Sequence, residues 1–242
     1  MRYSRIVPRK ARIDAAALRR LIVRGIEGRA IVRDDVARER FLERLAKLLS
    51  ESKTSCCAWA ILPNHIHFLV RTGIIPVAKF MAGLLTGCAA SFNKRHRRRG
   101  RLFQNRYKSI LCEEDPYFLE LVSYIHLNPL RAGIVDSMEE LDGCPCSGRS
   151  ALVHVVERER QDAEYVLASF GAEEKTAQGL YRAFVAQGIS QGRRRDLSGG
   201  GAMRSNQGWK APIRDSVRPK GDERILGRSS FVLGVLKSAD EA

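Results

Sequence analysis

"SCCAWAILPNHIHFLVR", Ser55 to Arg71, is the stretch whose reading decides the fold. Two apolar runs flank Pro63-Asn64, a pair that favours a turn, so a β-hairpin is expected here. Its second arm carries two histidines one residue apart. Alternate residues of a strand share a face, so His65 and His67 point one way while Ile66, Phe68 and Val70 point the other. A strand otherwise built for a core therefore presents two imidazoles side by side.

Working outward, "LRRLIVRG", Leu18 to Gly25, reads as a first strand. In "RDDVARERFLERLAKLLSES" Asp34-Asp35 supplies a capping signal. Val36, Phe41, Leu42, Leu45, Leu48 and Leu49 then recur at helical spacing. Downstream of the hairpin, a second amphipathic helix fits Pro76 to about Arg95, with Phe80, Leu84, Leu85 and Phe92 on its apolar side. "RYKSILC", Arg106 to Cys112, reads as a fourth strand. Asp115-Pro116 opens a third helix that runs to Asn128 and stops before Pro129. The first six elements match the split βαββαβ order of a ferredoxin-like antiparallel sheet, an α+β fold, with the third helix added.

Past about residue 150 the character changes, which divides the chain into 1–150 and 151–242. Residues 160–190 read as helical with a Gly break, "SQGRRRDLSGGGAMRSNQGWK" as a linker or exposed loop, and the tail as room for one helix. The second part is thus a mostly helical C-terminal extension.

The chain has 42 Lys+Arg against 27 Asp+Glu, a formal net charge of +15, and a pI near 10.0. That excess points to a polyanionic partner, nucleic acid first. No uninterrupted apolar run of about 18 residues argues for a membrane, and no apolar segment behind the basic N-terminus argues for secretion. The six cysteines form no CxxC pair, and Cys56, Cys88 and Cys112 sit among apolar residues. A reduced, cytoplasmic chain is expected.

Two histidines with Cα atoms roughly 6.5–7 Å apart on one face can lean onto one metal ion, or can be a hydrogen-bonded core pair. A third ligand would come from elsewhere. In the third helix Phe118, Leu121, Val122 and Ile125 form the core stripe, and Tyr124 and Asn128, four apart, share a face. Asn128 offers either an oxygen ligand or a cap for the helix end.

"LPNHIHFLV", "GRLFQNRYKSILCEEDPY" and "YIHLNPLRAGIV" together resemble the single-tyrosine HUH transposases, especially the REP-associated tyrosine transposase group. The resemblance spans roughly residues 12–150. It implies that His65 and His67 bind a divalent metal, Mg²⁺ or Mn²⁺, with Asn128 completing the shell. It also implies that Tyr124 attacks single-stranded or hairpin DNA to give a 5′-phosphotyrosine ester. The retained ester energy lets a later 3′-OH rejoin the strand without ATP, and the chain has no GxxxxGK[ST] loop. The first strand departs from the family, carrying arginines where relatives often show His or Tyr. Some relatives exchange the tyrosine helix between subunits, so monomer and homodimer both fit.

"NKRHRRRGRLFQNRYK", Asn93 to Lys108, holds eight Lys/Arg and no acid. Lys94, Arg95, Arg97, Arg98, Arg99, Arg101, Arg106 and Lys108 can neutralise phosphates, and Tyr107 can stack on unpaired bases. Arg131 follows the third helix closely enough to touch a phosphate. His96 belongs to the basic patch, and His126, well round the helix from Tyr124, reads as structural or DNA-facing. Two other classes compete. A catalytically silent ferredoxin-like regulator would share the basic patch, and a zinc hydrolase would share the His pair but lacks a nearby catalytic carboxylate.

Overall fold

Pro63-Asn64 turns the chain between two strands whose register sets everything that follows. The structure is a computed structural model that describes residues 17–154, 161–192, 194, 196–198 and 222–240. The strands are β1 (Leu18–Arg24), β2 (Ser55–Leu62), β3 (His65–Arg71), β4 (Lys108–Cys112) and β5 (Ile225–Leu226). They form one sheet in the order β2-β3-β1-β4-β5. The first four are antiparallel to their neighbours, which is the ferredoxin-like plan expected from the element order. β5, which the sequence reading did not anticipate, adds in parallel beside β4.

Helices α1 (Asp35–Ser52) and α2 (Val77–Arg95) cover one face. Asp34 caps α1, its carboxylate accepting from the Ala37 amide at 2.8 Å. Lys53, left-handed at φ 51°, ends the helix by donating its amide to the Leu49 and Ser50 carbonyls. Phe41, Leu42 and Leu45 of α1 and Phe80, Met81 and Leu84 of α2 pack on Leu21, Val23, Ile66 and Phe68. Phe68 is 1% exposed, so Phe68→Ala would cost about 3–5 kcal/mol. A register shift in β2 between Cys56 and Ala58 breaks the period-two alternation. Cys57 and Ala58 therefore both enter the opposite core, and Trp59 returns to this one.

The other face carries α3 (Glu114–His126), the single turn α4 (Asn128–Arg131), α5 (Met138–Gly143), α6 (Arg149–Leu152), α7 (Ala163–Ala168) and α8 (Glu174–Gln187). The helical extension with its Gly break is present as α7 and α8, with Gly171 at φ 141° between them. Val166, Leu167, Ala177, Tyr181, Val185 and Leu197 share one core with Phe118, Leu121, Val122 and Ile125 of α3. The Tyr181 hydroxyl meets Nδ1 of the buried His126 at 2.7 Å. Loss of that hydroxyl would strand a buried nitrogen at about 1–3 kcal/mol. Most of the Gly/Arg-rich stretch lies outside the described residues. The tail supplies one helix, α9 (Ser229–Asp240). Arg228, just before it, donates to the Glu113 carboxylate at 2.6 Å through its amide and at 2.7 Å through Nε.

Candidate active site

The β1–β3 register sets Arg24 opposite His65, Ile22 opposite His67 and Arg20 opposite Leu69, and β4 brings Lys108 opposite Ile22. Directly paired residues share a face, so the two histidines, Arg20 and Arg24 look toward α3. The imidazole centroids are 5.0 Å apart. Nδ1 of His65 meets Asn64 Oδ1 at 2.7 Å, and with that nitrogen donating, the ring's lone pair sits on Nε2. His67 is 4% exposed, and its Nδ1 is buried without a hydrogen-bond partner. Burial first, then Arg20, His65 and Arg24, hold the His67 pKa well below the ordinary value. Burial and Arg24 lower that of His65. Both rings are thus held in the neutral form that a metal requires.

Helix α3 carries Tyr124 to this face, its ring centroid 6.4 Å from that of His67. Two guanidiniums flank the phenol: Arg20 lies 4.5 Å from the ring centroid and Arg131 lies 5.1 Å from it. Arg20 donates through Nη1 to the Leu197 carbonyl at 2.6 Å. Arg131 donates to the carbonyls of Tyr124 at 3.4 Å and Gly188 at 2.9 Å. Asn128 takes the capping alternative with its amide nitrogen, which donates to the Tyr124 and Ile125 carbonyls at 3.1 Å each. Its oxygen is the atom left for a ligand. Pro129 does not end helical geometry. It sits in the first turn of α4, where its missing N–H costs nothing.

The other described tyrosines lie elsewhere. Tyr117 packs against the α3-side core and Tyr107 against the α1/α2-side core. The Tyr165 hydroxyl bonds Arg71 and Glu114 at the far end of β3, and Tyr181 is buried on His126. Tyr3 lies outside the described residues. His126 is fully buried, its pKa pushed down to about 3 by burial and Arg149, and it ties α3 to α8. His154 pairs with Glu174 at 2.7 Å on the surface.

The basic run follows α2 and is anchored to the histidine end of the sheet. Gln104 donates its amide to the Arg24 carbonyl at 2.9 Å, Ile26 donates to Leu102 at 3.0 Å, and Gly25 donates to Asn64 at 2.8 Å. Lys94, Arg97, Arg99, Arg101, Arg106 and Lys108 are exposed. Arg95 pairs with Asp34 at 3.0 Å, and Arg98 is half-buried, donating to the Arg101 carbonyl at 3.1 Å. Arg131 and Tyr107 are half-buried too. Sequence reasoning missed Arg20 and Arg24 as parts of the site. The signal was available: both share the strand parity that the register aligns with His65 and His67.

Among the described residues no group of three His, Cys, Asp or Glu side chains converges as a metal cage. No helix among them is long and apolar enough to cross a membrane. No curated protein matches the chain. Solved structures similar to it include a REP-associated tyrosine transposase bound to a REP hairpin, 15% identical with a TM-score of 0.49. That match covers 65% of this chain and 93% of the other. A Deinococcus radiodurans protein provisionally designated a transposase is 16% identical with a TM-score of 0.34, over 58% of this chain and 98% of its own. The family model that matches, over residues 18–128, is that of IS200-like transposases. Its span runs from the first residue of β1 to Asn128, so the first four strands, the histidine pair and the tyrosine helix are the part of the chain that is similar to IS200-like transposases.

Proposed function

We propose that this chain cuts and rejoins single-stranded DNA, on hairpin or repeat substrates, with Tyr124 as the nucleophile. The phenolic oxygen attacks the phosphorus of a phosphodiester, the O3′–P bond breaks, and the phenolic proton leaves to solvent while the departing 3′ oxygen takes up a proton from it. The products are a 5′-phosphotyrosine ester and a free 3′-OH, and attack by a 3′-OH on that ester reverses the step and releases the phenol. The observation that carries this reading is the approach of the Tyr124 ring to His67, 6.4 Å between centroids, with the two imidazoles side by side.

His65 and His67, with Asn128 Oδ1, would hold the Mg²⁺ or Mn²⁺ that the motifs imply. The neutral imidazoles and the orphaned Nδ1 of His67 fit that use. When bound, such an ion neutralises charge on the scissile phosphate. The protein's own groups do the rest. Asn64 fixes the His65 ring, Arg20 and Arg131 hold the phenol, and the Asn93–Lys108 run takes the flanking phosphates. Residues 151–242 act as an extension, of which α7 and α8 pack on α3.

Incubating labelled single-stranded hairpin DNA with the chain and Mn²⁺ tests this. A covalent protein–DNA species with the nucleotide on Tyr124 is expected. Tight DNA binding with no adduct would favour the silent regulator instead.

A further inference from the structure

On the face of the sheet opposite Tyr124, α1, α2 and the loop after α2 enclose a cleft of about 380 Å³. That is within the size range of small-ligand sites. Phe92, Leu102 and Phe103 give it an aromatic and apolar lining. Arg40, Arg44 and Lys47, spaced four and three apart on one side of α1, and Arg95 of α2 supply its cations, against the single carboxylate of Glu43. Neither Arg40 nor Arg44 makes an ion pair among the described residues, and both are exposed.

Two details show how the cleft is shaped. Gly87 sits inside α2, a position where glycine is disfavoured. The Arg44 guanidinium lies in the space that a Cβ there would fill, 2.2 Å from Nη1. The His96 ring lies tilted against Phe92, centroids 4.4 Å apart at 48°, and its Nε2, in a residue lining the cleft, is buried with no hydrogen-bond partner. Planar apolar lining, a cationic rim and an unused ring nitrogen are complementary to a nucleobase with its phosphate. One wall of the cleft is tied to the strand end that carries the histidines. Phe103 pairs with Gly25, next to Arg24, which lies opposite His65.

We infer that this cleft takes one unpaired nucleotide of the bound strand, base against Phe92 and Phe103, phosphate on Arg40 and Arg44. The inference rests on the reading of single-stranded DNA as partner and makes the cleft a selector of the strand beside the cut.

The test uses the full chain and a hairpin with a single-stranded flank carrying 5-iododeoxyuridine at each position in turn. Irradiation should crosslink one flank position to the segment 88–103. Ser91→Trp, which fills the cleft, should weaken binding of the flanked hairpin on the order of tenfold. It should leave binding of a blunt hairpin of the same stem unchanged. Crosslinks confined to other segments would overturn the inference, as would an unchanged affinity ratio in a folded Ser91→Trp protein. If that variant does not fold, the wild-type crosslink map decides alone. Abolition of the crosslink by equimolar free dTMP would also overturn it, since the cleft would then take a free nucleotide. Adduct formation at Tyr124 is read in the same samples. An adduct without the cleft crosslink defeats this inference alone, and the crosslink without an adduct defeats the cleavage reading alone.

Discussion

The guanidinium of Arg20, the third residue of β1, lies 4.5 Å from the ring centroid of Tyr124, near the end of α3. Arg20 is only 2% exposed, and burial lowers its pKa while the neighbouring Tyr124 opposes that shift. A buried cation beside a phenol is well placed to favour negative charge on the phenolic oxygen, whether the tyrosine attacks or leaves. Arg20→Met should therefore slow both adduct formation and rejoining by on the order of 10²-fold. DNA affinity should change little. Single-turnover rates within a few-fold of wild type would remove Arg20 from the reaction.

Replacing Tyr124 by Phe keeps the packed ring and deletes the hydroxyl alone. The variant should melt within about 1 kcal/mol of wild type and bind DNA normally, yet form no adduct. A residual adduct, or a nucleotide mapped to Tyr117 or Tyr107, would refute the assignment.

His67→Ala and His65→Ala should each abolish divalent-dependent cleavage with DNA binding intact, because the basic run is a separate segment. Removing the orphaned Nδ1 relieves an unsatisfied buried nitrogen in His67→Ala but leaves a cavity. Stability should therefore change less than for Phe68→Ala. Mn²⁺ titration by calorimetry checks the binding half: wild-type heats in either variant would exclude the pair as ligands.

Arg97, Arg98 and Arg99 reversed to Glu should weaken DNA binding and flatten its salt dependence. Each lost phosphate contact lowers the log–log slope by roughly 0.7 for single strands. The loop is pinned by Asn93, whose amide donates to the Gly100 carbonyl at 2.9 Å, so the charge is held at the end of α2. Unaltered affinity and slope would show these three arginines to be uninvolved.

Cys146 should react as a thiolate. Its thiol is held below the usual range by the hydrogen bond with Cys144, and by the Arg38 guanidinium, whose Nη1 is 3.9 Å away. Cys144 is pushed the opposite way by the same hydrogen bond, and then by burial. The folded value lies under the unfolded one of about 8.5, so the thiolate's contribution to stability is full above that pH and lost as pH falls through the folded value. Iodoacetamide labelling of Cys146, followed by peptide mass spectrometry, should already be at its plateau at pH 7.5. A rate that still climbs between pH 7.5 and 9 would contradict this.

The local elements were written in the residues themselves. Alternation along Ser55–Arg71 determined the hairpin and the shared face of His65 and His67. Helical spacing determined α1, α2 and α3, and put Asn128 one turn past Tyr124, where its amide reaches the Tyr124 carbonyl. Period and turn chemistry act over a few residues, so a chain read alone displays them. Long-range register does not follow from them. The neighbourhood of Arg20, Tyr124 and Leu197 joins residues up to 177 apart in the chain. β5 is two residues long and has no period to read. The shift after Cys56 moves two side chains into a core that strict alternation would split. Those outcomes were decided by how the sheet pairs and what α3 packs against, because burial and cross-strand contact are settled only once distant segments meet.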